Sequence, residues 1–556
     1  MSGNIKHLVF SVCVAFVLCA FASVASARTI YVPDDYAKIR WAVDNASDGD
    51  TIIVRDGNYY ENVVVSKKLT IKSENGSDNC IIDGGGSGDV ITLYADGITI
   101  EGFTVRNSGS SWPTLLYAGI KVFSNANKIA YNSITNNCNG ILSYSSNNII
   151  ANNNITNNRH GIHLNSSSNN IIANNNIANS VGIYLLHSGN NTIANNTVSN
   201  NMDGIYLYHS SNNIIANNNI SSNIDGISSS CSSNNIIANN NIANNSVGIF
   251  SSCSSNNTIA NNNITNNRHG IYLDSSSNNI IANNNISSNN ENGIFLWSSR
   301  IFPFPDSSSN NIIANNNITN NRHGIYLSYS NSNTIYLNNF IDNTYQVYSY
   351  YSTNIWNSTE KITYTYNGKQ HTNYLGNYWS DYTGSDADRD GIGDTPYSIN
   401  ADRDNYPLIE RFEHYFVPTP AQIFDTGRPE NPYPSISGEF IGTIKTNTKI
   451  IAKKLYTYAC EGTGGHTEHA LIWNETWCAY AEWEGYKEDW MNISFNRTVV
   501  LMPYETYNIT IVTGSYPQIH HTSSLKTESG WINCTEFIDA NGNKYDDWIP
   551  AIMLWS

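Results

Sequence analysis

From residue 119 onward, short apolar segments alternate with asparagine-rich bends at a nearly fixed phase. Gly-Ile recurs at Gly119, Gly140, Gly161, Gly182, Gly204, Gly226, Gly248, Gly270, Gly293 and Gly324, at intervals of 21, 21, 21, 22, 22, 22, 22, 23 and 31 residues. Self-similarity at such a period marks a solenoid. Inside each interval a second motif runs Asn169-Asn170-Ile171-Ile172-Ala173-Asn174-Asn175-Asn176-Ile177 and returns from Asn212, Asn234, Asn256, Asn278 and Asn310. One period therefore offers three apolar segments: Gly161-Ile162-x-Leu164, Ile172 and Ile177. β-Branched runs this short, separated by turn-forming asparagines, predict strands and a three-sided coil. The exceptions show which side is inside. The position of Ile171 becomes Thr192, Thr258 and Thr334, whereas that of Ile172 stays Ile193, Ile259 and Ile335. Ile172, Ile193, Ile215 and Ile237 are thus expected in one interior row, with Asn170 and Asn175 stacking from coil to coil at the bends. Asn/Ser-rich sequence of low complexity is often disordered, but disorder gives isoleucine no reason to keep its phase over ten coils.

The expected fold is all-β: a right-handed parallel β-helix over residues 51–375 with coils of roughly 22 residues. Its N-terminal cap is residues 28–50, with Asp34 or Asp35 capping a helix whose Ile39, Ala42, Val43 and Ala46 share one face. Residues 299–307, with Pro303 and Pro305, lengthen one interval and predict a loop at a corner. Residues 376–410 close the helix, 411–416 read as a linker, and 417–556 alternate apolar and polar positions, as in Tyr507-Asn508-Ile509-Thr510-Ile511-Val512. That pattern predicts a C-terminal antiparallel β-sandwich of the accessory or carbohydrate-module kind.

Lys6, an apolar stretch from Leu8 to Ala20, and Ala25 and Ala27 have the order of a secretory signal peptide over residues 1–27. The reading is a secreted or cell-surface protein with no membrane span in the mature chain. A formal charge of −16 argues against nucleic acid and anionic membrane as partners. Beyond the signal, Cys80, Cys138, Cys231, Cys253, Cys460, Cys478 and Cys534 are too few for a disulfide scaffold.

The coils resemble the parallel β-helix repeats of carbohydrate-binding and sugar-hydrolysing proteins, and most closely the NosD-like β-helix proteins of archaeal exported and surface proteins. Ile30-Tyr31-Val32-Pro33-Asp34-Asp35-Tyr36 and Asp48-Gly49-Asp50-Thr51-Ile52 are similar to the family's capping region. Gly376-Asn377-Tyr378-Trp379-Ser380-Asp381-Tyr382, with Asp394-Thr395-Pro396-Tyr397, resembles its closing stretch. The resemblance covers residues 28–410 and identifies fold better than activity. It brings copper into view, because NosD is tied to copper delivery.

Four sets of residues carry candidate chemistry. Asp386-x-Asp388-x-Asp390-Gly391-Ile392-x-Asp394 places carboxylates at positions 1, 3, 5 and 9 and a glycine at 6, with the Ile392 carbonyl as a further oxygen. This resembles calcium loops of the thrombospondin type 3 or dockerin kind, although Tyr397 stands where an EF-hand has glutamate. Five residues after the repeat glycines, His187, His209, Cys231 and Cys253 line one corner as candidate copper or zinc ligands, space-fillers or a disulfide. Two and four residues after the glycines, Tyr184, Tyr206, Phe250, Tyr272, Phe295 and Trp297 form an outward aromatic stripe. It is expected either to bind a polysaccharide or surface glycan or to stiffen the sheet as a ladder. Asp203, Asp225 and Asp274 are the carboxylates that a polysaccharide lyase or glycoside hydrolase would use. Sequons such as Asn154-Ile155-Thr156 and Asn263-Ile264-Thr265 predict a glycosylated exterior.

Overall fold

The computed structural model describes residues 27–110, 117–298, 308–400, 402–416, 423–474, 477–486 and 490–556. The signal segment up to residue 26 and the 299–307 loop lie outside the described residues. The chain divides into two compact units after Tyr415.

The first unit is a parallel β-solenoid of about 14 turns, built on three sheets of 14, 13 and 14 strands. A typical coil gives His160–Asn165 to a long sheet, Ile171–Ala173 to a second and Asn176–Ala178 to a third. Successive coils pair in register, so Ile172 meets Ile150 on one side and Ile193 on the other. The interior row is as expected: Ile172, Ile193 and Ile215 are 0 % exposed and Ile237 2 %, while Ile171 next door is 44 % exposed. Each buried isoleucine contributes about 1.5–3 kcal/mol. The repeat glycine sits where backbones crowd. A Cβ on Gly204 would lie 2.5 Å from the Gly226 carbonyl oxygen.

The bends bury polar groups, which folding tolerates only when every donor and acceptor is met. Asn218 donates from Nδ2 to the carbonyls of Ile193 (2.9 Å) and Ala216 (3.1 Å) and to Oδ1 of Asn240 (3.0 Å). Its own Oδ1 accepts from the backbone N–H (2.9 Å) and Nδ2 (3.0 Å) of Asn196. Asn170 and Asn175 make the same contacts to Asn191 and Asn196, as the sequence pattern predicts. Beside each buried asparagine stands another in the left-handed region, such as Asn217 (φ 57°), which asparagine tolerates better than most residues.

The ends differ from expectation. Thr29–Val32, read as cap, already pairs in parallel with Thr51–Val54, so the stack begins earlier. The short helix is Ile39–Asn45, too late for Asp34 or Asp35 to cap. The Glu61 carboxylate, from the following coil, accepts the Ile39 and Arg40 amides (3.0 and 3.1 Å) instead. Within the expected helix region, Ile362–Tyr366 and Lys369–Asn373 form an antiparallel hairpin outside the coil stack. Asn367 and Gly368 at its tip both have positive φ (46° and 74°), the two-residue turn that strongly signals a hairpin.

At the C-terminal end the interior row of the third sheet, in which Ile318 pairs with Phe340, passes into aromatic rings. Phe340 stacks on Trp379 (4.3 Å) and Trp379 on Tyr397 (4.2 Å). Two asparagine ladders end on aspartates: Asn354 donates its N–H to Asp402 (2.9 Å) and Asn377 to Asp404 (2.8 Å). Asp404 is fully buried and also accepts from Trp379 Nε1 (3.0 Å) and the Tyr406 amide (3.0 Å); burial pushes its carboxyl up to about 6 against these donors. Phe412–Tyr415, read as linker, is a 3-10 turn, and Tyr415 is buried with Tyr364, Tyr366, Ile392 and Leu408.

The second unit is antiparallel, with a sheet of 11 strands around one core, ten in a continuous path and one paired beside it. Thr506–Gly514 buries Tyr507, Ile509 and Ile511 on one side, as its alternation predicts.

Candidate functional site

The outward face of the long sheet carries the aromatic column. The register sets Tyr184, Tyr206, Ser228, Phe250, Tyr272 and Phe295 one above another. Tyr184 and Tyr206 stack at 5.2 Å and 8°, and Tyr272 and Phe295 at 4.5 Å and 21°. Phe250 meets Tyr272 edge-on at 5.1 Å. The rings are half-buried because each covers the next, so edges and hydroxyls face outward along most of the column. Ser228, itself buried, interrupts it and leaves the facing sides of Tyr206 and Phe250 against a serine. Trp297 lies two residues on from Phe295, in register with Asp274.

Asp203 and Asp225 pair in register beside this interruption. Burial raises both carboxyls, and the charge of Asp203 helps carry Asp225 to about 6. Asp274 is also raised by burial, but its neighbours in register are Ser252 and Trp297, so it does not join the pair. Nearby on the long sheet, Arg268 and His269 both meet Glu291 (3.0 and 3.3 Å), and His323 meets Asn292 (2.9 Å).

His187, His209, Cys231 and Cys253 occupy exposed left-handed corners (φ 49°, 49°, 48° and 49°). The two imidazoles stack at 5.3 Å and 10°. Imidazole lone pairs lie in the ring plane, so parallel rings do not converge on one ion. Among the described residues all seven cysteines are free thiols, Cys231 and Cys253 included.

A second histidine pair, absent from the sequence reading, lies on the long sheet itself. His160 and His163 meet edge to face at 5.4 Å and 77°, so their ring planes intersect. His160 Nδ1 is 3.0 Å from Asn139 Oδ1, which makes Nδ1 the donor and leaves the lone pair on Nε2. His163 is 8 % exposed, stacks on Tyr184 at 4.7 Å, and has no hydrogen-bond partner for either ring nitrogen. Burial lowers both, to about 4 for His160 and about 3 for His163, so both are neutral at pH 7. The signal was the spacing His160-x-x-His163, which no other coil repeats.

In the closing loop, carboxylate oxygens of Asp386, Asp388 and Asp390 lie within 4.8 Å of one another. Asp386 accepts the amides of Asp390 (3.1 Å) and Gly391 (3.0 Å), and burial, then its two acidic neighbours, raises Asp390. Asp394 is not part of this cluster: its Oδ2 accepts from Ser385 Oγ (3.0 Å) and the Ala387 amide (2.9 Å). The Ile392 side chain is buried in the closing core. Among the described residues, no helix is long and apolar enough to cross a membrane.

The chain is similar to the A-module of a mannuronan C-5 epimerase from Azotobacter vinelandii (14 % identity, 57 % of this chain and 91 % of that one, TM-score 0.39). It is also similar to the Dettilon tailspike protein (13 % identity, 88 % and 94 %, TM-score 0.43). A cell surface glycoprotein of Methanothermus fervidus is 41 % identical over 87 residues, which span 15 % of this chain and only 14 % of that glycoprotein. The family model described as "Periplasmic copper-binding protein (NosD)" matches residues 43–223 and 179–384. Copper suits the donor sets unequally: the parallel His187 and His209 rings do not fit it as placed, whereas His160 and His163 offer crossing ring planes and orphaned buried nitrogens. With well over half of its length matched by that model, the chain belongs to the NosD family of β-helix proteins.

Proposed function

We propose that the protein is an exported surface β-helix whose long sheet engages a linear polysaccharide. The observation that carries this reading is the aromatic column of Tyr184, Tyr206, Phe250, Tyr272 and Phe295 with Trp297 beside it, held in register over successive coils. A linear polymer along the axis meets a similar ring at intervals of the coil rise, about 4.8 Å, or its multiples. Each contact is weak, and affinity comes from their number. The similarity to a cell surface glycoprotein supports the surface location. Retention on a panel of immobilised polysaccharides tests the reading. Tyr206→Ala with Tyr272→Ala should weaken it, and unchanged binding of every polymer by this variant would favour the purely structural ladder. Asp203→Asn with Asp225→Asn should leave binding intact and abolish depolymerisation if the acid pair is catalytic.

The same proposal assigns calcium to Asp386, Asp388 and Asp390. An ion there relieves the repulsion of three crowded carboxylates and ties the loop to the closing core through Tyr364, whose hydroxyl donates to the Asp390 carbonyl (2.9 Å). At a hundred times its Kd, calcium would add about 2.7 kcal/mol. An unchanged Tm on chelation marks an acidic turn. A second reading, copper handling, draws on the family description and on the orphaned nitrogens of His163.

A further inference from the structure

We propose that His160 and His163 form a Cu(I)-binding site on the outer face of the long sheet; the proposal rests on the copper-handling reading and gives it a place in this chain. Residues three apart on a regular strand point to opposite faces. Here the pairing with both neighbouring strands passes from His160 to Ile162 without Gly161, and this irregularity brings the two rings to 5.4 Å. Asn139 fixes the His160 tautomer through Nδ1, the arrangement in which a histidine presents its other nitrogen to a metal. His163 is buried with both nitrogens unmet, and an ion ligated by the unprotonated one gives that nitrogen the partner it lacks.

The surroundings select the ion. Among the described residues, three clustered histidine, cysteine or acidic ligands occur only at Asp386, Asp388 and Asp390, so no third protein ligand of those types completes a tetrahedral set here. Arg159 adds positive charge beside His160. Two neutral nitrogen donors, no carboxylate and a nearby cation disfavour Zn(II), which requires four ligands, and suit a monovalent ion of low coordination number. Tyr184 covers His163 and limits access of water.

The test is anaerobic Cu(I) titration of the full mature chain against a chromogenic chelator, in the parent, in His163→Leu, and in His209→Ala with Cys231→Ser. Leucine already stands in this column one coil earlier, at Leu142, so His163→Leu should fold and its metal-free Tm should equal or exceed that of the parent. The expected result is one Cu(I) per chain, bound through nitrogen alone by X-ray absorption. It should be weakened more than about tenfold in His163→Leu and unchanged in the double variant. A parent that takes up no Cu(I) overturns both the site and the copper reading. Uptake that survives His163→Leu but is lost in the double variant overturns the site alone. Zn(II) binding as tightly, with the same dependence on His163, overturns the choice of ion.

Discussion

The solenoid and the C-terminal unit are both built of β-strands, yet they fill their interiors by opposite rules. In the solenoid a residue's neighbour is its own counterpart one coil away: Ile meets Ile, and Asn meets Asn. A polar group that satisfies itself under translation can then be buried at every corner. In the C-terminal unit, Phe440 pairs with Ile511 on one side and Phe537 on the other, and the core is apolar and aromatic. Repetition makes buried amides affordable; without it, shape complementarity among unlike side chains does the holding.

The comparison can be broken most severely by Ile215→Asp. A lone carboxylate in the interior row has no partner. Its cost, several kcal/mol, should unfold adjacent coils together, visible as one cooperative loss in circular dichroism while the C-terminal unit keeps its own transition. Next is Asn218→Leu, similar in size but unable to serve the ladder. It strands the backbone N–H of Asn196 and takes a donor from the Ile193 carbonyl, while Asn196 Nδ2 keeps the Ile172 and Ala194 carbonyls, and should cost about 3 kcal/mol in urea unfolding.

The ladder end gives a pH signature of comparable or smaller size. Asp404 titrates near 6 in the folded chain against an ordinary 3.8, so between those values the folded state holds a proton that the unfolded state has lost. Stability from this group is therefore greatest below pH 3.8 and falls as pH rises to about 6, by at most about 3 kcal/mol. The pH dependence of unfolding in the parent, minus that in Asp404→Asn, should show that slope. A flat difference would mean that Asp404 titrates normally. Smallest is Ile509→Val in the C-terminal core, expected to cost about 1 kcal/mol because only one methylene is lost.

What could be read in advance follows the same division. The inward row was legible because Thr192 and Thr258 replace one isoleucine of the pair and never the other, and the ladders because Asn170 and Asn175 recur with it. Glu61 as the helix cap and Asp404 as the ladder end have no counterpart in other coils, so no phase points to them; both act across 20 or more residues. Asn367-Gly368 was an available hairpin signal, obscured by the expectation that the coils ran on to residue 375. At the candidate sites, the first three carboxylates of the acidic loop could be found from spacing, but the engagement of Asp394 by Ser385 and the Ala387 amide could not. The histidine pair depends on the register step at the repeat glycine, shared by Gly161, Gly182, Gly204 and Gly226, which residue spacing alone does not report.

The asparagine ladders also have a direction. Each rung donates forward to the carbonyl oxygen of the next, so the last rung presents unspent N–H groups at one end of the solenoid. Asp402 and Asp404 take up two of those donors with carboxylates. A β-solenoid end is otherwise a template on which another chain could continue the stack. The pair thus occupies the donors of an otherwise open end: a truncation that stops before Asp402 should leave them exposed and make the chain self-associate, and restoring residues 402–410 should reverse this.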